Sequence, residues 1–309
     1  MTTLLFTHSA CLEHDTGPFH PESPERLHRL LETLSRPEFS ALERRRAPRA
    51  EYGHLARVHD NRYITDMLAA VPSSGRIELE GSGTVLSSGS GEAALRAAGA
   101  VCAAVDAVAA GEGKNAFCAV RPPGHHAEPS RTMGFCLFNN VAVGALHARI
   151  AHGFKRVAVV DFDVHHGNGT QAMFERDASL FFASTHQSFL FPYTGAEDER
   201  GVGNIVNVTL ARDWGGEEFR RLFAQKVLPR LTFFAPDFVL ISAGFDALRA
   251  DPIGGLRFDA ADLVWATREI AKVAQRCCAG RLVSVLEGGY NPGAVASACA
   301  AHVRALMAA

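Results

Sequence analysis

The sequence is short of several features that would narrow its meaning at once. None of its seven cysteines (Cys11, Cys102, Cys118, Cys136, Cys277, Cys278 and Cys299) forms a C-x-x-C pair, and the number is odd. That excludes a thioredoxin-like redox motif and a cysteine-rich structural zinc site, and it points to reduced, buried thiols in a cytoplasm. No stretch approaches the roughly 18 apolar residues that a membrane span needs. The start, MTTLLFTHSACLEHD, has too short an apolar run and no basic n-region, so the expectation is an unexported, cytoplasmic protein. Neither sign of charge dominates: Lys plus Arg is 31 against Asp plus Glu at 33, a formal net charge of -2. Such a balance argues against nucleic acid or a membrane surface as a partner. Internal repeats and low-complexity linkers are also lacking.

What is present is a large apolar complement, 47% of 309 residues, enough for one large α/β domain or two smaller ones. Short β-branched or aromatic runs occur at 4–7, 116–120, 157–160, 180–183, 205–210, 238–241 and 282–286. Longer stretches with helical character lie between many of them, at 92–110, 140–152, 217–234, 260–277 and 292–307. Strand and helix in alternation predict a mostly parallel sheet covered on both faces. The piece GSGTVLSSGSGE, residues 81–92, reads as a surface loop that ends by capping the next helix through Ser90.

The unusual chemistry begins where the apolar runs end. FCAV leads into RPPGHH, VAVV into DFDVHHGN, FFA into STHQSFLFP, FVLI into SAGFD, and LVSVL into EGGY. In open parallel sheets ligands bind outside the carboxyl ends of the strands, so five such ends can share one crevice. In extended chain residues i and i+2 point the same way, which would pair Asp163 with His165. Asp246, in SAGFDA behind a glycine that allows a tight turn, offers a further carboxylate. One imidazole and two carboxylates leave a coordination position open, as catalytic rather than structural metal sites do. Ordinary strand-end hydrogen bonds would use the same residues. The tandem His125 and His126 follow a rigid Pro-Pro-Gly turn. A neutral imidazole beside a metal-activated water can accept its proton and later return it to a leaving amine. Asp161 and Asn168 are the plausible orienting partners of the two rings, and Tyr290, on a glycine-rich turn, could donate to a developing oxyanion.

Taken together, RPPGHHA, GFCLFNN, DFDVHHGNGT, STHQ, SAGFDA and LEGGY, in this order and at these separations, resemble the histone deacetylase superfamily, in particular its class II-like bacterial amidohydrolases. The N-terminal HDTGPFHPESPERL looks like that family's first substrate-binding loop, and the resemblance runs from about His14 to Pro292. It implies an arginase/deacetylase α/β fold, one catalytic domain over residues 1–309, around an eight-stranded, mostly parallel sheet flanked by helices. Asp163, His165 and Asp246 match zinc ligands, with one ion per chain. His126 matches the general base and acid, His125 the neighbouring electrostatic histidine, and Tyr290 the group that polarises the carbonyl. Asp161 stands behind His125. Asn168 stands behind His126, where class I members have Asp; an asparagine orients the ring without adding a charge that would raise its pKa. Phe135, Gly134 and Phe191 match the walls of a slot for a linear acyl-lysine stem, with His20, Pro21, Ile253 and Gly288 as further substrate-binding positions. A structural potassium ion is implied at Asp161, Asp163, His165, Ser184 and Thr185, where it would compensate buried charge.

The reaction so implied is metal-assisted amide hydrolysis: zinc and His126 activate a water, and Tyr290 polarises the carbonyl it attacks. The same ligands accept iron(II) or cobalt. The expected substrate is an acylated lysine. Polyamine specialists of the family carry an acidic gatekeeper where this chain has Ile253, so an acetylpolyamine or other small acylated amine is the alternative. The acidic loop TGAEDERG, residues 194–201, could attract a basic substrate but reads first as solvated. An arginase-like binuclear manganese hydrolase would need further aspartate ligands. A non-catalytic acyl-lysine-binding protein would be expected to lack Tyr290, His126 or a ligand, and all are present. A homo-oligomer is compatible with the sequence.

Overall fold

Every apolar run expected to be extended is a strand in the computed structural model of the chain, which describes residues 2–79, 81 and 83–309. Among these residues the strands are β1 (Thr3–Thr7), β2 (Glu43–Arg46), β3 (Arg76–Leu79), β4 (Thr84–Ser87), β5 (Asn115–Cys118), β6 (Val157–Asp161), β7 (Leu180–Gln187), β8 (Ile205–Leu210), β9 (Phe238–Ala243) and β10 (Leu282–Leu286). Eight of them form one sheet in the order β2-β1-β5-β10-β9-β6-β7-β8, and β3 pairs with β4 in a separate antiparallel hairpin. All pairings in the large sheet are parallel, so the expected mostly parallel sheet is wholly so. Its central strands are buried at every position, which is why they read as unbroken apolar runs rather than as alternation.

The helices are α1 (Pro24–Leu34), α2 (Tyr52–Leu55), α3 (Asn61–Ala69), α4 (Ser90–Ala109), α5 (Asn140–His152), α6 (Asn168–Phe174), α7 (Gly216–Leu222), α8 (Leu228–Phe234), α9 (Ala260–Cys278) and α10 (Pro292–Ala308). One face of the sheet carries α4, α5 and α6. The other carries α8, α9 and α10, with α1 and α7 packed against them. Local chemistry sets several boundaries: Asn139 and Asn291 accept from the backbone N–H groups of Ala142 and Ala294, at 3.0 and 3.1 Å, and so cap α5 and α10. Gly153, at φ 70°, ends α5 in the left-handed region. Among the described residues no helix is long and apolar enough to cross a membrane.

Three local expectations change. The helix expected over 217–234 is divided into α7, a π-helical turn at Phe223–Val227, and α8. Pro229 lacks the N–H that an α-helical bond needs, and its ring crowds the preceding turn, so the coil widens just before it. The stretch 81–92 is not only a loop. It includes β4, and Ser90 lies inside α4, with Gly89 as the cap; Ser82 lies outside the described residues. The Ser90 hydroxyl instead faces inward, 2.7 Å from His14 Nδ1, while accepting from Ser87 N–H at 2.7 Å. Finally, β2 reads ERRR and escapes any apolar pattern. It lies at the sheet edge, exposed along most of its length, where it pairs with β1 and its arginines reach the Leu34 carbonyl, Glu112 and His8.

The sheet, α9 and α10 are also joined by a buried imidazole. His302 on α10 is fully buried, with Nδ1 2.7 Å from Thr267 Oγ1 on α9 and Nε2 2.9 Å from Ser284 Oγ on β10. Thr267 donates its own hydroxyl proton to the Leu263 carbonyl, so His302 Nδ1 is the donor to it and Nε2 accepts from Ser284. Burial holds this histidine down at about 3 from an ordinary 6.5, so it is neutral in the fold. The unfolded chain binds the proton first, so the contribution of His302 is fully present above about 6.5 and is lost as pH falls toward 3. Replacing His302 with Ala should cost roughly 2–4 kcal/mol at pH 8. Urea denaturation at pH 8 and pH 5 should show the gap between wild type and variant narrowing at the lower pH; a constant gap would contradict the neutral strut.

Candidate active site

Strands β5, β10, β9, β6 and β7 are consecutive neighbours in the sheet, and the unusual chemistry lies at or just beyond their carboxyl ends, STHQ forming the last four residues of β7 rather than a loop after it. Parallel strands present all their carboxyl ends on one side. The five loops therefore meet at one place, although they come from positions 119 to 291 of the chain.

At the centre of that place stand Asp163, His165 and Asp246, all buried, their ligand atoms within 4.8 Å of one another. His165 Nδ1 lies 3.0 Å from Asp163 Oδ1 and 3.1 Å from Asp246 Oδ2. The pair Asp163 and His165 does not sit on extended strand as expected. β6 ends at Asp161, the chain bends, and the turn is closed by His165 N–H donating to Asp163 Oδ1 at 2.9 Å. Backbone groups hold the remaining carboxylate oxygens: Gly288 N–H donates to Asp163 Oδ2 at 2.9 Å, and Val164 N–H to Asp246 Oδ1 at 2.8 Å. Close approach explains two glycines. A Cβ on Gly244 would lie 2.2 Å from Asp163 Oδ2, and one on Gly288 would lie 2.2 Å from Asp246 Oδ2. Gly244 is thus there for space and not for the tight turn expected of it.

This donor set fits a divalent cation. Four carboxyl groups, Asp161, Asp163, Asp246 and Glu287, are completely buried around the imidazoles of His125 and His165. Burial and the adjacent Asp163 push Asp246 up to about 7. Asp163 goes the other way, well below the usual carboxylate range, because His125 and His165 outweigh its burial. For His165, burial acts downward but the two aspartates raise it to about 10. A mixed O and N set with surplus negative charge is what a metal such as zinc selects.

The two adjacent histidines have opposite environments. His125 Nδ1 lies 2.9 Å from Asp161 Oδ2; although burial disfavours its charge, Asp163 and Asp161 raise it to about 10, so it is a cation. His126 Nδ1 lies 2.8 Å from Asn168 Oδ1, and Asn168 Nδ2 donates to Glu128 Oε1 at 2.8 Å. A carboxylate only accepts, which fixes the asparagine's orientation and makes its oxygen an acceptor. The His126 proton is therefore on Nδ1, leaving Nε2 as a lone pair. Burial, then the neighbouring His125 and His165, hold this ring well below 6.5 and keep it neutral.

Above these groups a cavity of about 270 Å³ is lined by Phe135, Phe191, Gly134, Ile253, Tyr290, His126 and His165, with Gly81 and Gly83 at its side. The Phe191 ring is 5.1 Å from that of His126, and the Phe135 ring is 5.8 Å from that of Tyr290. Gly134 and Phe135 are both left-handed, at φ 57° and 69°, an uncommon conformation for phenylalanine that turns its ring into the slot. Burial, then Asp246 and Asp163, push the Tyr290 phenol well above 10, so it remains a donor. His20 reaches the slot through Phe135, ring to ring at 4.7 Å. Pro21 is half-buried and Gly288 lies beneath, against Asp163; neither is among the residues lining the cavity.

At the end of β6, Asp161 stands across the ladder from Ser184, and the Thr185 hydroxyl is 3.5 Å from the Asp161 carbonyl oxygen. His166 has its own partners, with Nδ1 2.8 Å from Thr194 Oγ1 and Nε2 2.9 Å from Gln171 Oε1. In the acidic loop, Glu197 pairs with Lys226 at 2.7 Å and Glu199 accepts from the backbone of Gly195 and Ala196, so two of its charges serve the loop itself.

Sequence reasoning missed a set of buried charges behind the slot. Glu22, fully buried, accepts from Arg26 at 2.7 Å and from Arg121 at 2.5 and 2.7 Å; the arginines outweigh burial and hold it at about 2. Arg26 also donates to the carbonyl oxygens of Glu287 and Gly289. Glu287 accepts from the N–H groups of Gly124 and His125 at 2.7 and 3.2 Å, and burial raises it to about 7. A glutamate straight after the apolar run LVSVL was the available signal.

A second cluster, Asp106 with His147 and His152, places both Nε2 atoms 2.6 Å from Asp106 Oδ1. The Arg57 guanidinium lies 2.5 Å from His147 Nδ1 and can only donate. His147 therefore carries its proton on Nε2, where it meets Asp106. That nitrogen is not open to a metal, and the cluster is a hydrogen-bonded clasp between α4 and α5.

Comparison with known proteins gives the family and the fold. The family model described as histone deacetylase domain matches residues 20–306. The chain is 39% identical over 312 residues to the histone deacetylase-like amidohydrolase of Pseudomonas aeruginosa, covering 94% of this chain and 82% of that one. It is 36% identical over 335 residues to type-2 histone deacetylase 2 of Dictyostelium discoideum, covering 94% of this chain but only 20% of that protein. The crystal structure of the HDA15 HD domain superposes with a TM-score of 0.92 at 33% identity, over 99% of this chain and 88% of that one.

The position of Gly288 can be tested without reference to turnover. Gly288→Ala places a methyl group between the carboxylates of Asp246 and Asp163, so affinity for added zinc should fall by about 10- to 100-fold with the circular dichroism spectrum retained. Unchanged affinity in a zinc titration would contradict the close approach.

Proposed function

The chain belongs to the histone deacetylase family and is a hydrolase of the deacetylase type, and from that premise we propose that it removes acetyl or other short acyl groups from a lysine side chain. The observation that carries this reading is a coincidence in space. One aromatic-walled slot is lined by His165, by a neutral histidine, His126, and by a protonated phenol, Tyr290, with Asp163 and Asp246 within 4.8 Å of His165.

Asp163, His165 and Asp246 would hold one divalent ion per chain, zinc by family, whose Lewis acidity would act on a water and on the acyl carbonyl. His126 is the base: its Nδ1–H is committed to Asn168, so Nε2 takes the proton of the attacking water and returns it to the departing amine. Tyr290 donates its hydroxyl proton toward the oxyanion that develops on the carbonyl. His125, cationic and bonded to Asp161, offsets the negative charge gathering beside it. A potassium ion at Asp161, Asp163, His165, Ser184 and Thr185 would serve the same end from beneath. The juxtaposition of Asp161 with Ser184 and Thr185 supports that assignment.

Phe135 and Phe191 suit the methylene stem of an acylated lysine, which contributes apolar surface and no charge within the slot. Ile253 at the wall gives a cationic polyamine no partner. That favours an acyl-lysine over an acetylpolyamine.

Tyr290→Phe and His126→Ala should each keep their fold and one metal per chain while losing at least about 100-fold in turnover of a fluorogenic acetyl-lysine peptide. Full activity in His126→Ala would sink the assignment. Asp246→Ala should lose the metal itself, read directly by elemental analysis of the purified protein.

A further inference from the structure

Tyr290 follows two glycines, Gly288 and Gly289, and Gly289 has a φ of 116°. Two glycines in succession offer the least backbone resistance to rotation, so the turn by itself would place the phenol loosely. A single peptide group supplies the restraint. The carbonyl of Gly289 accepts from Arg26 Nε, and the N–H of the same peptide bond, that of Tyr290, donates to Asp251 Oδ2 at 2.7 Å. The peptide dipole is thus held between a cation at its oxygen end and an anion at its hydrogen end. The other oxygen of Asp251 accepts from the N–H groups of Ile253 and Gly254 at 2.9 and 3.1 Å. One carboxylate therefore fastens the turn carrying Tyr290 to the loop carrying Ile253, and both of those side chains face the same cavity. Asn291 Nδ2 adds a second tie, donating to the Ala250 carbonyl at 3.1 Å.

From this geometry we propose that Asp251 is a positioning residue for the hydrolysis, setting the Tyr290 phenol through its backbone N–H. The proposal rests on the role of Tyr290 given above. Asp251 is absent from the residues lining the slot, and its effect is transmitted through the peptide it holds. An aspartate is required because four lone-pair directions on two oxygens serve three N–H groups. Asparagine is isosteric but has one acceptor oxygen, so either Tyr290 or the Ile253 and Gly254 pair faces an N–H₂ group instead.

The test is a double-mutant cycle with the fluorogenic acetyl-lysine peptide. Asp251→Asn should lower kcat by about 10- to 100-fold with KM within about threefold, the cost of misplacing a reacting group by a fraction of an ångström. Its metal content should match that of the wild type. In a Tyr290→Phe background the same substitution should change the residual rate by less than about twofold, because the group it positions is already gone. A merely structural role would instead lower the rate equally in both backgrounds. Full activity in Asp251→Asn, or a loss that repeats undiminished on Tyr290→Phe, overturns the proposal and leaves the reading of Tyr290 intact. Full activity in Tyr290→Phe overturns that reading itself. Should Asp251→Asn fail to fold, hydrogen exchange on the unaltered chain decides: the Tyr290 amide should exchange slowly, as one bonded to a half-buried carboxylate, and rapid exchange at that amide overturns the proposal.

Discussion

Burying carboxylates at one end of a sheet is costly unless each has a partner, and the arrangement of partners organises the molecule around its site. Glu22 has two arginines, permanent cations whose charge does not change with conditions. Asp161 has an imidazole, and Glu287 has backbone N–H groups and a serine hydroxyl. The partners become more changeable toward the centre, from guanidinium to imidazole to the open donor set of Asp163, His165 and Asp246. Fixed charge stands at the back of the slot, and groups that can exchange a proton or a ligand stand at the candidate site.

The same gradient explains what could be read from the amino-acid sequence. The central strands were legible because burial on both faces leaves mostly apolar residues in them, and the site residues were legible because they interrupt those runs at the strand ends. Phe135 and Phe191 were legible only by resemblance, since an aromatic in a slot wall and one in a core have the same local pattern. Glu22, Arg26, Arg121, Glu287 and Asp251 were not singled out. Much of what they do depends on partners far along the chain, such as Arg26 on the carbonyl of Gly289 or Arg121 on Glu22, and no local spacing records such a pairing. The strands β2 and β3 and the helices α1, α2, α3 and α6 were also not anticipated; β2 and the short helices are held by pairing and packing, against weak or contrary intrinsic preference.

Glycine has two distinct uses around the slot. At Gly244 and Gly288 the absence of a side chain lets carboxylates approach the backbone closely. At Gly134 and Gly289 the backbone itself takes left-handed values, and the neighbouring aromatic is aimed by a turn rather than by a rotamer. Conformational freedom placed beside reactive groups would blur their positions if nothing opposed it. Hydrogen bonds from charged groups to main-chain atoms oppose it here, which is how a loop-built site acquires the rigidity usually found in helices and strands.

The arginine-rich strand β2 bears on the solution behaviour of the chain. A parallel sheet that ends in an exposed strand offers unpaired backbone groups to any other extended segment, including the same strand of a second molecule. On β2 three of the four residues, Arg44, Arg45 and Arg46, are cations, so two such edges brought together would bring like charges close. The charge on that edge opposes such pairing.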